Sequence, residues 1–338
     1  MAVKPINLAL QGGGSHGAFT WGVLDALLED EGLAIESISG TSAGAMNAAA
    51  VAQGMAAGGA EEARKTLTRF WSRVSRMAAF APVPADAYDT WFGNFSVLPG
   101  IPKLDLVNQV AHTFSPYQFN PTGLNPLRGL VADMFDFEAI RTCEHPRLYI
   151  AATQVYTGKI RVFEGDELTA DVLAASACLP ELVHAIEIDG EPYWDGGYTG
   201  NPALFPLFYD GSGSDILLVQ VSPVERRSLP TSRQEIDNRI DEIAFNGALL
   251  RELRAVEFVQ RLMDNGIIAP GKGYSRIRMH RVGGDELTRF GASSKVRTDW
   301  PFLTELRDLG RKAVQDWLSA HRGDIGERDT LDLRAMFN

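Results

Sequence analysis

A strand-turn-helix pattern that occurs twice before residue 60 constrains the fold of this chain more than any other feature. Ile6–Gln11 is a short apolar run typical of a buried strand, and Gly17–Asp30 places its apolar residues at helical spacing. A second apolar run, Leu33–Ser39, precedes Ala43–Ala57, whose small side chains favour a helix packed closely on a sheet. The pattern predicts a β-α-β unit with a right-handed crossover.

Both turns of this unit contain closely spaced glycines. The first reads Gly12-Gly13-Gly14-Ser15-His16-Gly17. Its consecutive glycines leave N–H groups that point at whatever group lies over the start of the next helix, where the helix dipole also favours negative charge. The second reads Gly40-Thr41-Ser42-Ala43-Gly44, with glycine on both sides of a serine, as a nucleophile elbow requires. Taken alone, this second turn is more typical of a serine that caps a helix. Because both turns follow adjacent parallel strands, we expect the amides of Gly12–Gly14 to face the tetrahedral intermediate formed when Ser42 attacks an ester.

The first turn also matches the pattern Gly-x-Gly-x-x-Gly of dinucleotide-binding proteins. That function requires an acidic residue at the end of the second strand. In this chain the second strand runs into the serine turn, and the nearest acid, Glu36, lies in mid-strand. We therefore favour an oxyanion-binding loop over a dinucleotide-binding loop.

A third motif, Asp195-Gly196-Gly197, follows Tyr193-Trp194 and precedes Tyr198. Asp-Gly-Gly is also a common turn sequence with no catalytic role. In the functional interpretation Asp195 is the general base that takes the proton of Ser42. A carboxylate with a pKa of about 4 is a weak base for a hydroxyl, so this role needs burial to raise its pKa. The neighbouring aromatic residues are candidates to provide that shelter.

The order glycine-rich loop, Gly-x-Ser-x-Gly and Asp-Gly-Gly resembles the patatin-like phospholipase family, whose catalytic unit is a Ser–Asp dyad without histidine. The stretch Ala174–Pro180 and the pair Asn201-Pro202 are similar to that family as well, and the resemblance covers roughly residues 6–221. By matching positions it implies that Ser42 is the nucleophile, that Asp195 is the base and that the amides of Gly12, Gly13 and Gly14 form the oxyanion hole. The supporting motif positions are His16, Gly17, Gly40, Gly44, Gly196 and Gly197.

The resemblance also implies a fold and an activity. The expected fold is a three-layer α/β/α sandwich around a mostly parallel sheet, and the expected reaction is hydrolysis of acyl esters, typically of phospholipids or neutral lipids, without a metal or cofactor. The family usually has Arg or Lys at the position of His16. Because a histidine with a pKa near 6.5 is largely neutral at pH 7, this difference bears on preference for a phosphate head group more than on hydrolysis.

Beyond these motifs, the chain divides into two predicted parts: an acyl hydrolase domain at 5–225 and a mainly helical extension at 226–338 packed on the same domain. Residues 77–130 are rich in Pro, Gly, Asn and aromatic residues without periodicity. We predict that this insertion forms an acyl-chain entrance or a lid. A second core or an oligomer interface is an equally good interpretation of its composition.

The net charge of −11 disfavours a nucleic-acid-binding protein, since phosphate neutralisation needs a basic surface. The start of the chain lacks the pattern of a signal peptide, and no apolar run approaches the roughly 20 residues of a membrane span. We expect a cytoplasmic protein that meets membranes only peripherally and that is compatible with oligomerisation. Cys143 and Cys178 have no metal-ligand spacing and are expected to be reduced thiols.

Two other functions compete with the dyad. In an α/β-hydrolase the third triad member would be His280 or His321, after Ser42 and Asp195 in chain order, but that fold places several strands before its nucleophile. Alternatively, the chain is a catalytically weak protein of the same fold that binds a membrane or a partner. We do not expect His184 or Cys178 to be catalytic.

Overall fold

The computed structural model describes residues 3–79, 115–209, 213–269, 271 and 275–337. Its first elements follow the predicted pattern: β1 Lys4–Leu10, α1 Gly17–Leu27, β2 Leu33–Gly40, α2 Ala43–Gly58 and α3 Ala60–Ala79. The middle elements are α4 Pro116–Phe119, α5 Pro126–Met134, α6 Phe137–Thr142, β3 Arg147–Gln154, β4 Ile160–Glu164, α7 Ala170–Ser176, β5 Ile186–Ile188 and β6 Glu191–Asp195. The last elements are α8 Phe205–Tyr209, β7 Asp215–Gln220, α9 Arg233–Asp264, β8 Arg278–Gly283, α10 Trp300–His321 and α11 Leu333–Phe337.

The eight described strands form one sheet in the order β5-β6-β3-β2-β1-β7-β8, with β4 also paired to β3. The strands β3, β2, β1, β7 and β8 run parallel to one another. Antiparallel pairing is limited to β4, β5 and β6 near one end of the sheet. The predicted mostly parallel sheet is therefore confirmed. Parallel neighbours need crossover connections, and helices provide them here.

Helices cover both faces of the sheet. Successive strand residues point to opposite sides, so neighbouring residues of one strand enter different cores. In β1, Leu8 and Leu10 belong to one core, together with residues of α1, α2, α3 and α10. Ala9 belongs to a second core, together with residues of α8, α9 and α11. The alternation in β7 is the same, with Leu217 in the first core and Leu218 in the second. The sheet therefore lies between two helical layers, as a three-layer α/β/α fold requires.

The residues after 226 contribute to both layers and to the sheet. Strand β8 pairs with β7, α9 supplies Leu249 and Leu253 to the second core, and α10 packs on α1. The two helices touch where both have glycine: a Cβ on Gly22 would overlap the backbone of Arg307, and one on Gly310 would overlap the backbone of Phe19. This close approach holds α10 against the first β-α-β unit.

The predicted entrance or lid at 77–130 lies mostly outside the described residues. Its described part consists of the end of α3 and the segment from Ser115 onward, with α4 and the start of α5. No helix within the described ranges is both long and apolar enough to cross a membrane.

Candidate active site

The serine turn has the strained geometry of an elbow. Ser42 lies between the end of β2 and the start of α2 with φ 54° and ψ −121°, a conformation that non-glycine residues rarely adopt. The flanking glycines let the end of β1, the end of β2 and the start of α2 pass close to one another. A Cβ on Gly44 would overlap Leu10, and a Cβ on Gly40 would lie 2.8 Å from the carbonyl oxygen of Gly44. Larger residues at either position would block the turn.

Strand pairing brings Asp195 to this turn. Strand β2 pairs with β3 as far as Gly40 opposite Ile150, and β6 pairs with β3 as far as Asp195 opposite Ala152. The serine turn and the Asp195 motif are far apart in the chain, but the strands that carry them end opposite positions of β3 that are two residues apart. The hydroxyl of Ser42 lies close enough to the carboxylate of Asp195 to lower its pKa.

The carboxyl group of Asp195 is buried, with 1% of the residue exposed. It accepts a hydrogen bond from the N–H of Gly197 at 2.7 Å. Burial raises the pKa of Asp195 to about 7, although the hydrogen bond from Gly197 and the nearby hydroxyl of Ser42 oppose this change. The backbone of Asp195 is also held, because its N–H donates to the Cys178 carbonyl at 2.7 Å. Asp195 is thus a fixed carboxylate and a stronger base than an exposed aspartate.

The glycine loop contacts the elbow directly. A Cβ on Gly12 would lie 2.8 Å from Cβ of Ser42. The N–H of Gly12 donates to Oδ1 of Asn201 at 2.7 Å. Within the described part of the chain, the N–H groups of Gly13 and Gly14 donate to no acceptor. Of the three predicted oxyanion donors, these two are therefore free to bind a ligand, whereas Gly12 is already bonded.

This arrangement of elbow, buried aspartate and glycine loop agrees with a comparison of the sequence with protein families. The model of the patatin-like phospholipase family matches residues 8–208, more than half of the chain. The chain belongs to the patatin-like phospholipase family.

Among solved structures, VipD from Legionella pneumophila aligns with a TM-score of 0.42 and 16% identity, covering 93% of this chain and 67% of VipD. The type III effector protein ExoU aligns with a TM-score of 0.34 and 16% identity, over 94% of this chain and 54% of that one. Full-length ExoU in complex with SpcU from Pseudomonas aeruginosa aligns with a TM-score of 0.32 and 14% identity, covering 94% of this chain and 53% of that one. The chain thus spans about half the length of ExoU. A comparison with curated protein sequences gives no significant match.

Several residues that support the site in this member of the family had no role in the sequence prediction. The N–H of Ser42 donates to Oγ of Ser176 at 2.9 Å. The hydroxyl of Thr41 donates to the carbonyl oxygen of Gly200 at 2.7 Å. Ser176 lies in the stretch Ala174–Pro180, where resemblance to the family was the one available signal. These contacts tie the elbow to the segments on either side of Asp195.

Helix α9 also reaches the site, although its sequence indicated no chemistry. The ring of Phe245 packs directly on Gly197 and lies 5.1 Å from the ring of Tyr198, centroid to centroid. The next residue, Asn246, accepts a hydrogen bond from Nε2 of Gln11 at 2.8 Å. The predicted shelter of Asp195 therefore includes an aromatic residue about 50 positions further along the chain.

His16 is buried, and its Nε2 lies 2.7 Å from Oγ of Ser294. Burial lowers the pKa of His16 to about 3, with a further contribution from the charge of Lys295. The backbone of Lys295 packs against Gly14, and its Nζ donates a hydrogen bond to Oγ of Ser222 at 3.3 Å. The histidine is therefore neutral, and a lysine from a distant segment lies beside the glycine loop. Nothing in the sequence around Lys295 indicated this position.

The other histidines have partners elsewhere. Nε2 of His280 lies 3.0 Å from Asp215, and Nδ1 of His321 lies 2.9 Å from Asp324. Asp215 begins β7, whereas Ser42 follows the opposite, carboxyl end of the parallel strand β2. His184 stacks on Tyr117. Among the described residues, no histidine hydrogen-bonds to Asp195, and His112 lies outside those residues.

Both cysteines are free thiols. Cys178 lies next to the site, where burial raises its pKa to about 12. Cys143 is half-buried, and burial raises the pKa of its thiol as well. Both thiols therefore stay protonated at neutral pH and are poor nucleophiles.

Proposed function

We propose that this protein hydrolyses acyl esters of lipids with Ser42 as nucleophile and Asp195 as its base. The observation that carries the proposal is the placement of the strained Ser42 beside the buried carboxylate of Asp195 and a glycine loop with two free N–H groups. Membership of the patatin-like phospholipase family supports a lipid substrate. The predicted His-containing triad gains no support, because His280 and His321 are bonded to other carboxylates.

The reaction has two steps. The hydroxyl oxygen of Ser42 attacks the acyl carbonyl carbon while its proton passes to Asp195, and the oxyanion receives the N–H groups of Gly13 and Gly14. The tetrahedral intermediate then expels the alcohol, which takes the proton from Asp195. In the second step Asp195 removes a proton from water, the hydroxide attacks the acyl-enzyme, and the fatty acid leaves as Ser42 recovers its proton.

The raised pKa of Asp195 explains how an aspartate can act as the general base without a histidine. General-base catalysis is most effective when the pKa of the base lies near the working pH. With its pKa raised to about 7 by burial, Asp195 is about half ionised at neutral pH and binds a proton far more strongly than an exposed aspartate. The hydrogen bond from Gly197 stabilises the ionised form when the proton has left.

Two further residues position the reacting groups. Ser176 accepts the N–H of Ser42, so it holds the elbow in its strained conformation. Asn201 accepts the N–H of Gly12 and so orients the glycine loop. With Gly12 held in this way, the next two N–H groups are arranged before substrate binds, and preorganised donors are the effective ones.

The test is an activity series with aryl esters and phospholipids of increasing chain length. We expect Ser42→Ala to lower turnover by several orders of magnitude and to abolish labelling by a fluorophosphonate. Asp195→Asn should lower turnover at least a hundredfold while the protein remains folded. Ser319→Ala, at an exposed position of α10, is the matched control and should keep both properties. Full activity of Ser42→Ala, or wild-type protein that neither turns over any ester nor reacts with the fluorophosphonate, would refute the proposal and favour a binding protein of the same fold.

A further inference from the structure

The outer side of α9 carries a row of residues spaced three or four apart, and all of them are exposed except the half-buried Gly247. This spacing places them on one side of the helix. The row, here called the α9 face, consists of Ile236, Ile240, Ile243, Gly247, Arg251, Arg254, Phe258 and Arg261. Four of its members are large apolar side chains with 40%, 57%, 56% and 50% of their surface exposed, in the order Ile236, Ile240, Ile243 and Phe258.

The two halves of the α9 face differ in chemistry. The amino-terminal half presents three isoleucines to solvent. The carboxyl-terminal half borders a groove of about 410 Å³ lined by arginines and by the rings of Phe258 and Phe337. The guanidinium of Arg254 lies 5.4 Å from the centre of the Phe337 ring, and that of Arg261 lies 5.7 Å from the Phe258 ring. The face is therefore apolar at one end and basic with an aromatic floor at the other.

The charges in the groove are only partly compensated. Arg334 pairs with Asp264 at 2.7 Å, and Arg261 lies 3.8 Å from Glu257. In the described part of the chain, neither Arg251 nor Arg254 forms a salt bridge like these two, although the charge of Arg251 acts on the nearby Glu252. A protein with a net charge of −11 thus has a basic patch on this helix, which favours one orientation toward an anionic partner.

The opposite side of the same helix belongs to the catalytic site. Phe245 packs on Gly197, and Asn246 hydrogen-bonds to Gln11 at the base of the glycine loop. A helix with its side chains is about 10 Å across. A partner bound to the α9 face would therefore lie about one helix diameter from the residues that shelter Asp195.

We propose that the α9 face docks the enzyme on the surface of an anionic lipid bilayer. The isoleucines enter the boundary between head groups and acyl chains, and Arg251 and Arg254 contact lipid phosphates, as in amphipathic helices that lie in the plane of a membrane. This proposal rests on the proposed function, in that the substrate is a component of the bilayer. A second copy of the chain fits the face poorly. Antiparallel pairing would set isoleucines against arginines, and parallel pairing would set arginines against each other.

The experiment is co-sedimentation of the full chain with vesicles of phosphatidylcholine alone and of phosphatidylcholine with phosphatidylserine. We expect Arg251→Gln with Arg254→Gln to weaken binding to the anionic vesicles about 25-fold, from about fivefold for each arginine. Ile240→Ser with Ile243→Ser should weaken binding to both kinds of vesicle. The matched control is Arg73→Gln with Arg141→Gln, which removes the same charge from exposed positions on α3 and α6 and should bind as wild type.

Hydrolysis of a short soluble aryl ester, measured on the same preparations, separates docking from catalysis. All three double variants should keep the wild-type rate, because none of the substituted residues touches the dyad. The docking proposal is wrong if the wild type binds no vesicle, if the Arg251/Arg254 variant binds anionic vesicles as well as the control, or if sedimentation velocity shows a dimer that the Ile240/Ile243 variant dissociates. Vesicle binding that depends on Arg251 and Arg254 in a protein without esterase activity would support docking and refute the proposed function.

Discussion

Replacing Asp195 by Asn should stabilise the protein at neutral and alkaline pH while it removes activity. In the folded protein, burial raises the pKa of Asp195 from its ordinary 3.8 to about 7. The folded state therefore binds a proton that the unfolded state has already lost between these two values. Unfolding becomes easier as pH rises through this window, and the stability that the protonated carboxyl contributes is lost above it. Asparagine has a similar shape and does not titrate.

The magnitude follows from the width of the window. Each unit of pKa difference corresponds to about 1.4 kcal/mol, and the window spans about three units, so the wild type loses up to about 4 kcal/mol between pH 4 and pH 7 through this group. The free energy of unfolding of Asp195→Asn, relative to that of the wild type, should increase over the same range and level off above about pH 8.

The assay is chemical denaturation at a series of pH values from about 5 to about 8.5. Asp215→Asn is the matched control, since Asp215 is buried too. Burial alone would raise its pKa, but hydrogen bonds from His280 and Arg278 lower it. The stability that Asp215 contributes is present above its unfolded pKa and is lost only in acid, so Asp215→Asn should be less stable than wild type throughout this range. A constant difference between Asp195→Asn and wild type at all pH values would refute the raised pKa.

The same ionisation should govern catalysis. For an uncharged aryl ester, kcat/KM should rise with pH through a single ionisation near 7, because Asp195 must be ionised to accept the proton of Ser42. A profile that is flat above pH 5, or a midpoint near 4, would refute a raised pKa for the base.

Two further predictions test the surroundings of the dyad, and a third tests the packing of α10 on α1. Phe245→Ala opens the shelter beside Gly197, so the midpoint of the pH profile should move below that of the wild type; an unchanged midpoint would mean that α9 does not desolvate the base. Ser176→Ala removes the acceptor of the Ser42 N–H and should lower kcat by roughly tenfold to a hundredfold with a small change in Tm, as steady-state kinetics and thermal unfolding would show. Gly310→Ala introduces a Cβ that overlaps α1 and should lower the free energy of unfolding by at least about 2 kcal/mol, measured by denaturation, while the pH midpoint of activity stays in place.

Much of the site could be predicted because its first half is local. The β-α-β unit, the glycine loop and the serine turn lie within about 40 consecutive residues, and their geometry depends on backbone preferences that glycine and apolar periodicity reveal. The positive φ of Ser42 and the close passage of Gly12 past it agree with that expectation. The sequence predicts a largely neutral His16 from its ordinary pKa, whereas in the structure burial lowers that pKa further, and no local pattern indicates the burial beside Ser294.

The sequence by itself determined where the serine turn lies, because a strained strand-to-helix turn needs glycines at fixed neighbouring positions. Only the tertiary structure decided what surrounds it. Asp195 reaches Ser42 because β3 pairs with both β2 and β6, and Ser176 and Asn201 bond to residues 134 and 189 positions away. Such contacts depend on strand order and helix packing, which bring distant segments together without leaving a local pattern in the chain. The shelter that raises the pKa of Asp195, and the exposed face on the outer side of the same helix, are therefore properties of the packed protein.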